Sequence, residues 1–237
     1  MGSPQDLALL GRSPLWPRLV GLPIEERMAR ALHRVNVAGA VRTFATPLTL
    51  TPFASAQPCS ARCTFCSETL QHREGVRLSA SLRPGPRYFA QLRTALRDLR
   101  DLPFGFSLSG LEQTDNADFF EGVLDAIREH RDCGAPIENV VLYSNGSGLA
   151  AETTGARLLP RLFEVTRIEL SRHAVAAESN QAIMRFRPGV AVAETETFVR
   201  VAQDALAKTH VRLVCVIQQG GVWNEETLRA YLSWAES

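Results

Sequence analysis

The sequence predicts an α/β protein, built as a partial, open β/α barrel of parallel strands. Three observations carry this. Runs with apolar residues at every second position alternate with segments that carry an apolar stripe at helical spacing, the pattern of successive β/α units. There are five such units, too few to close an eight-fold barrel. Polar and glycine-rich residues follow the strands, at the end where parallel β/α proteins bind ligands. Right-handed crossovers put every helix on one side of a sheet that curls. An open barrel therefore fits better than a doubly wound sheet, although periodicity alone does not separate the two.

Residues 1 to about 22 are rich in Pro, Gly and Leu and read as an irregular lead-in. Pro23 to Ala38 reads as a helix, with Pro in the first turn, Glu25 and Glu26 early, and Met28, Leu32 and Val35 at helical spacing. Residues 1–46 are thus a lead-in with one helix, and 47–237 are the β/α core. Strands are expected at 47–53, 104–111, 138–144, 165–171 and 210–217. Helices are expected at 86–100, from the stripe Phe89, Leu92, Leu96 and Leu99, and at 116–131, from Phe119, Val123, Leu124 and Ile127. Three more are expected at 152–163, 193–208 and 224–235.

Composition narrows the class. The 237 residues are 45% hydrophobic and 22% charged, which excludes wholesale disorder and a fibrous chain. Lys+Arg (26) and Asp+Glu (25) nearly cancel, so the chain has no long-range pull toward nucleic acid or anionic lipid. No apolar stretch is long enough to span a bilayer, and Met1 to Arg18 carries charges and three prolines where a signal peptide needs an apolar run. The expected location is cytoplasmic.

Five cysteines do not pair off, and three of them lie in one short loop: Cys59-Ser-Ala-Arg-Cys63-Thr-Phe-Cys66. Three thiolates at C-x₃-C-x₂-C spacing can each hold one iron of a [4Fe–4S] cube and leave the fourth iron open to a ligand. A structural zinc ion would need a fourth ligand, for which His72 is near in sequence. Three incidental cysteines in eight residues is the remaining reading. Cys133 and Cys215 stand alone, one at a helix end and one alternating within a strand, and read as packing residues.

This loop after the first strand, with Phe65 just before the third cysteine, resembles the radical S-adenosylmethionine (radical SAM) superfamily, and the resemblance extends over roughly residues 47–221. It implies a [4Fe–4S] cluster on Cys59, Cys63 and Cys66, with S-adenosylmethionine (AdoMet) chelated to the open iron. It also implies reductive cleavage of AdoMet to methionine and a 5′-deoxyadenosyl radical that abstracts hydrogen from a substrate. Gly110-Leu111-Glu112 sits where the family carries a Gly-Gly-Glu-Pro motif, with Leu111 and Gln113 as departures. By resemblance Glu112 and nearby carbonyls receive the AdoMet ammonium, a cation that needs acceptor-only partners.

Ser144 and Asn145 after the third strand, Ser171 and Arg172 after the fourth, and Gln218 after the fifth are the further AdoMet contacts that the resemblance implies. The Asn145-Gly146 pair also has a purely steric reading as a turn. His173 reads as a hydrated loop residue and not as a catalytic acid. The arginines Arg73, Arg77, Arg83 and Arg87 read as a solvated charged loop.

The substrate is not legible beyond a small molecule, and no residue stands out as catalytic on it. A flavodoxin- or ferredoxin-like electron donor is implied. The sequence stops one helix after the fifth strand, where members of the family supply a sixth, so an open sheet edge and a partner chain covering it are expected. The alternative to an enzyme is a non-catalytic iron–sulfur or zinc module for electron transfer or protein interaction.

Overall fold

The computed structural model describes residues 32–37, 39–45, 48–52, 59–66 and 87–236. Strands β1 (Leu32–Val37) and β2 (Ala40–Ala45) form an antiparallel hairpin, with Leu32 opposite Ala45 and Val37 opposite Ala40. The helix expected over Pro23–Ala38 is corrected here: its described part is β1, and the rest lies outside the described residues. Val35, Val37, Val41 and Thr43 are β-branched, which favours strands. Gly39, at φ +84°, supplies the left-handed backbone that a tight hairpin turn requires.

Strands β3 (Leu48–Leu50), β4 (Phe104–Leu108), β5 (Ile137–Ser144), β6 (Arg167–Ser171) and β7 (His210–Val214) make one parallel sheet in sequential order. Sequential order with right-handed crossovers keeps the connecting helices on one face, so the sheet is an open barrel wall, as expected. Phe104, Phe106 and Leu108 of β4, Val140 and Leu142 of β5, and Ile168 and Leu170 of β6 are buried to 2% exposure or less. Each such side chain contributes roughly 1.5–3 kcal/mol relative to exposure.

Helix α1 (Tyr88–Asp98) packs against α2 (Ala117–Asp132) over the sheet. Helix α2 starts where the Asn116 side chain accepts the Phe119 N–H at 3.2 Å, and it buries Phe119, Phe120, Val123, Leu124 and Ile127. It ends at Cys133, followed by Gly134 at φ +80°.

A short helix, α3 (Ser147–Ala150), was not expected, and the helix expected at 152–163 follows it as α4 (Glu152–Leu158) and a 3₁₀ turn at Leu159–Glu164, where Pro160 enters. Helix α5 (Ala177–Met184) was not expected. Helices α6 (Thr195–Leu206) and α7 (Glu225–Glu236) match their predicted spans closely. Among the described residues no helix is long and apolar enough to cross a membrane.

Candidate functional site

The segments that follow the strands meet at the C-terminal edge of the sheet around a cavity of about 370 Å³. That volume falls within the range of small-molecule sites. Cys59, Cys63 and Cys66 line it together with Phe65, Gly110, Glu112, Ser144, Asn145 and Ser171. Nine of the eleven positions singled out in the sequence are therefore gathered on one cavity.

The cysteine loop is held by backbone. Arg62 N–H donates to Met184 O at 3.0 Å, Thr64 N–H to Ile183 O at 2.9 Å, and Arg187 N–H to Ser60 O at 3.0 Å. The carbonyls at the C-terminal end of α5, which an ending helix leaves without intrahelical partners, thus clamp the loop. The Cys63 and Met184 sulfurs lie 3.6 Å apart.

Burial pushes the Cys59 thiol up to about 12, helped by the Glu112 charge, and burial pushes Cys63 up to about 11 with the neighbouring Cys66 adding to it. Both are neutral thiols at pH 7 unless a cationic centre compensates their charge. Among the described residues, no three His, Cys, Asp or Glu side chains converge as ligands of a single metal ion. In its chemistry, a set of three cysteine thiols on one cavity is the kind of donor set that an iron–sulfur cluster takes.

Glu112 is buried behind the cysteines. Its Oε1 accepts from Thr114 N–H (3.2 Å), Thr114 Oγ1 (2.7 Å) and Ser144 Oγ (2.7 Å), and its Oε2 accepts Asn145 N–H at 2.6 Å. Burial raises the carboxyl above the usual range and the Asp115 charge adds to this, while the bonds from Asn145, Ser144 and Thr114 pull it back. The carboxylate latches the end of β4 to the end of β5.

Two expected contacts lie elsewhere. Arg172, with none of its surface exposed, turns away from the cavity. It donates to Ala174 O (3.0 Å), Val175 O (2.9 Å) and Thr195 Oγ1 (2.7 Å), and lies 5.0 Å from the Phe198 ring centroid and 5.7 Å from that of Trp234. Its guanidinium closes the β6 loop against α6 and α7, with Nη1 buried and without a hydrogen-bond partner among the described residues. Gln218 is not in the cavity lining, and its Oε1 accepts from Thr64 Oγ1 at 3.4 Å, beside the cysteine loop.

The structure adds His173 to the lining, with Leu111, Tyr143 and Met184. His173 is 1% exposed, and its ring meets Phe65 edge-on at 4.8 Å. Nδ1 accepts Val216 N–H at 2.9 Å, which leaves the ring proton on Nε2. Nε2 is buried with no hydrogen-bond partner among the described residues, and burial holds the ring down to about 4, so the imidazole is neutral at pH 7. No signal in the sequence separated His173 from a hydrated loop histidine, because its burial depends on α5 and on the β7 loop. His72, Arg73, Arg77 and Arg83 lie outside the described residues.

No family model and no curated protein matches the chain. Solved structures do match. Hexahistidine-tagged anSMEcpe with bound AdoMet aligns with a TM-score of 0.56 at 18% identity, over 81% of this chain and 49% of that one. Native anSMEcpe with bound AdoMet aligns at 0.56 and 18%, over 79% and 48%. The native protein with AdoMet and the Cp18Cys peptide aligns at 0.55 and 19%, over 81% and 49%. That protein is a radical SAM anaerobic sulfatase-maturating enzyme.

The fold is the radical SAM fold.

The present chain spans about half the length of these structures. In this chain Cys59–Cys66 follows β3, the first strand of the parallel sheet.

Proposed function

We propose that the chain is a radical SAM enzyme that holds a [4Fe–4S] cluster on Cys59, Cys63 and Cys66 and binds AdoMet in the cavity at the strand ends. The observation that carries this reading is the convergence of the three thiols, Phe65 and Glu112 on one small-molecule-sized cavity in a radical SAM fold. When bound, the cluster supplies the electron that cleaves AdoMet reductively to methionine and a 5′-deoxyadenosyl radical.

The chain's own residues supply position and shielding. Glu112, already fixed by four hydrogen bonds, offers its remaining acceptor capacity to the AdoMet ammonium. Ser144 and Ser171 provide hydroxyls on the cavity wall, and the neutral His173 presents Nε2–H as a donor. Phe65, Tyr143 and Met184 provide the apolar lining that restricts water around a reactive radical. The second substrate is a small molecule, and a flavodoxin- or ferredoxin-like protein delivers the electron.

The test is anaerobic reconstitution with iron and sulfide, then dithionite and AdoMet. About four irons per chain and release of 5′-deoxyadenosine are expected. Replacement of Cys59, Cys63 or Cys66 by Ala should abolish both. A full cluster with no 5′-deoxyadenosine would identify a non-catalytic iron–sulfur module, and a cysteine variant that keeps the full cluster would overturn the reading.

A further inference from the structure

Asn145 lies on the cavity wall, but its side-chain bonds run to the cysteine loop. Nδ2 is 3.7 Å from Cys59 Sγ and 3.2 Å from Ser60 Oγ, while Oδ1 accepts Ser147 N–H at 2.9 Å. The last bond settles which way the amide faces. A backbone N–H can only donate, so oxygen must sit there, and the NH₂ group must face Cys59. The backbone N–H of Asn145 is tied to Glu112 Oε2 at 2.6 Å, so the residue is pinned from both ends.

The loop is pinned in turn. Asp115 accepts Ser60 N–H at 2.7 Å and the Ser147 hydroxyl, and Ser60 Oγ donates to Ser147 Oγ at 2.6 Å. The carboxylates of Asp115 and Glu112 both disfavour negative charge on Cys59. Among the described residues Asn145 brings a side-chain donor to that sulfur from outside the loop, beside the backbone N–H groups of Ala61 and Glu112.

We infer that Asn145 tunes the iron–sulfur cluster: its side-chain N–H hydrogen-bonds the Cys59 thiolate and raises the cluster's reduction potential. Asn145 is thus a positioning residue acting through Cys59 and not an AdoMet contact, and the inference rests on the cluster reading above. Reduction adds an electron to the cluster and puts more negative charge on its sulfurs, so a donor aimed at one of them favours the reduced form. Hydrogen bonds to the sulfurs are among the levers that set cluster potentials. The donor opposes the carboxylates of the buried Glu112 and the half-buried Asp115, which push the potential down.

The experiment is an EPR-monitored redox titration of the reconstituted protein without AdoMet, with iron content measured on the same samples. Asn145→Ala is expected to hold the parental amount of iron at a more negative midpoint potential. Ser107→Ala removes a β4 hydroxyl whose hydrogen bond runs to Ser109 Oγ at 3.1 Å, leaves the Asn145 and Ser60 network intact, and is expected to titrate like the parent. An unchanged midpoint in Asn145→Ala, or an equal shift in Ser107→Ala, overturns the inference.

If Asn145→Ala does not assemble a cluster, the parent protein grown with amide-¹⁵N asparagine decides instead. A ¹⁵N coupling to the reduced cluster in the pulsed EPR spectrum supports the bond, and its absence overturns it. Failure of the parent itself to assemble a cluster would fall on the proposed function and is read from the iron content.

Discussion

Glu112 has one role the structure shows and one that is proposed, and the two must be tested apart. Its side chain receives four donors from Thr114, Ser144 and Asn145, and it is also the residue proposed for the AdoMet ammonium. Glu112→Ala leaves the buried N–H groups of Thr114 and Asn145 and two hydroxyls without their acceptor. Each unsatisfied buried group costs about 1–3 kcal/mol. The variant is therefore expected to unfold at lower denaturant in the apo form, before any cofactor is added. An unchanged unfolding midpoint would remove the latch role and leave ligand binding alone. Loss of AdoMet binding in this variant is informative only beside that measurement. The same residue shows where sequence reasoning works at this scale. Cys59, Cys63, Cys66 and Glu112 were legible because their spacing and strand-end position are local properties. Arg172 and His173 were not, because both follow β6 in sequence and only packing decides which one faces the cavity. The aromatic wall of Phe198 and Trp234 draws the Arg172 guanidinium outward, and Val216 N–H fixes the His173 ring inward.

At the scale of elements, the short helix α3 ties the site together, and it does so because Gly148 has no side chain. A Cβ there would overlap the carbonyl oxygen of Thr114, a backbone atom that cannot swing aside. Gly148→Ala must push α3 off the 3₁₀ turn Gln113–Asp115, and with it Ser147 off Asp115. A steric insertion into a packed contact costs typically about 1–3 kcal/mol. A lower melting temperature and reduced iron loading are expected together, since Asp115 also holds Ser60 in the cysteine loop. A variant that melts and loads like the parent would show that α3 does not position the loop. The five parallel strands and their long helices were legible from period and length. The hairpin β1–β2 was not, because Leu32 and Val35 fit a helical stripe as well as a strand, and only pairing with β2 resolves them. Helix α5 was missed because it is short and weakly amphipathic, and its structural use is its C-terminal carbonyls, which are invisible to side-chain patterns.

Closing a barrel removes its edges, and among the described residues this sheet is open, which leaves an edge problem. Strand β7 pairs with β6 on one side and, among the described residues, with no strand on the other. Beside it Phe198, Val199, Ala202, Leu206, Val211, Leu213 and Trp234 contribute to the lining of a cavity of about 480 Å³, mostly apolar in residue type. Leu206 is 62% exposed, and Ile217, just past β7, is 72% exposed. An apolar groove beside unpaired backbone N–H and C=O groups is a template for another chain. Self-association that grows with concentration is therefore expected in sedimentation velocity at micromolar protein. Charges placed on this surface by Leu206→Lys and Ile217→Lys should shift the distribution toward monomer. Both side chains are largely exposed, so the melting transition at low concentration should hardly move, and this separates an edge effect from loss of the core. A parent protein that stays monomeric across the concentration range and unfolds in one cooperative step at high temperature would show that the β7 edge needs no cover.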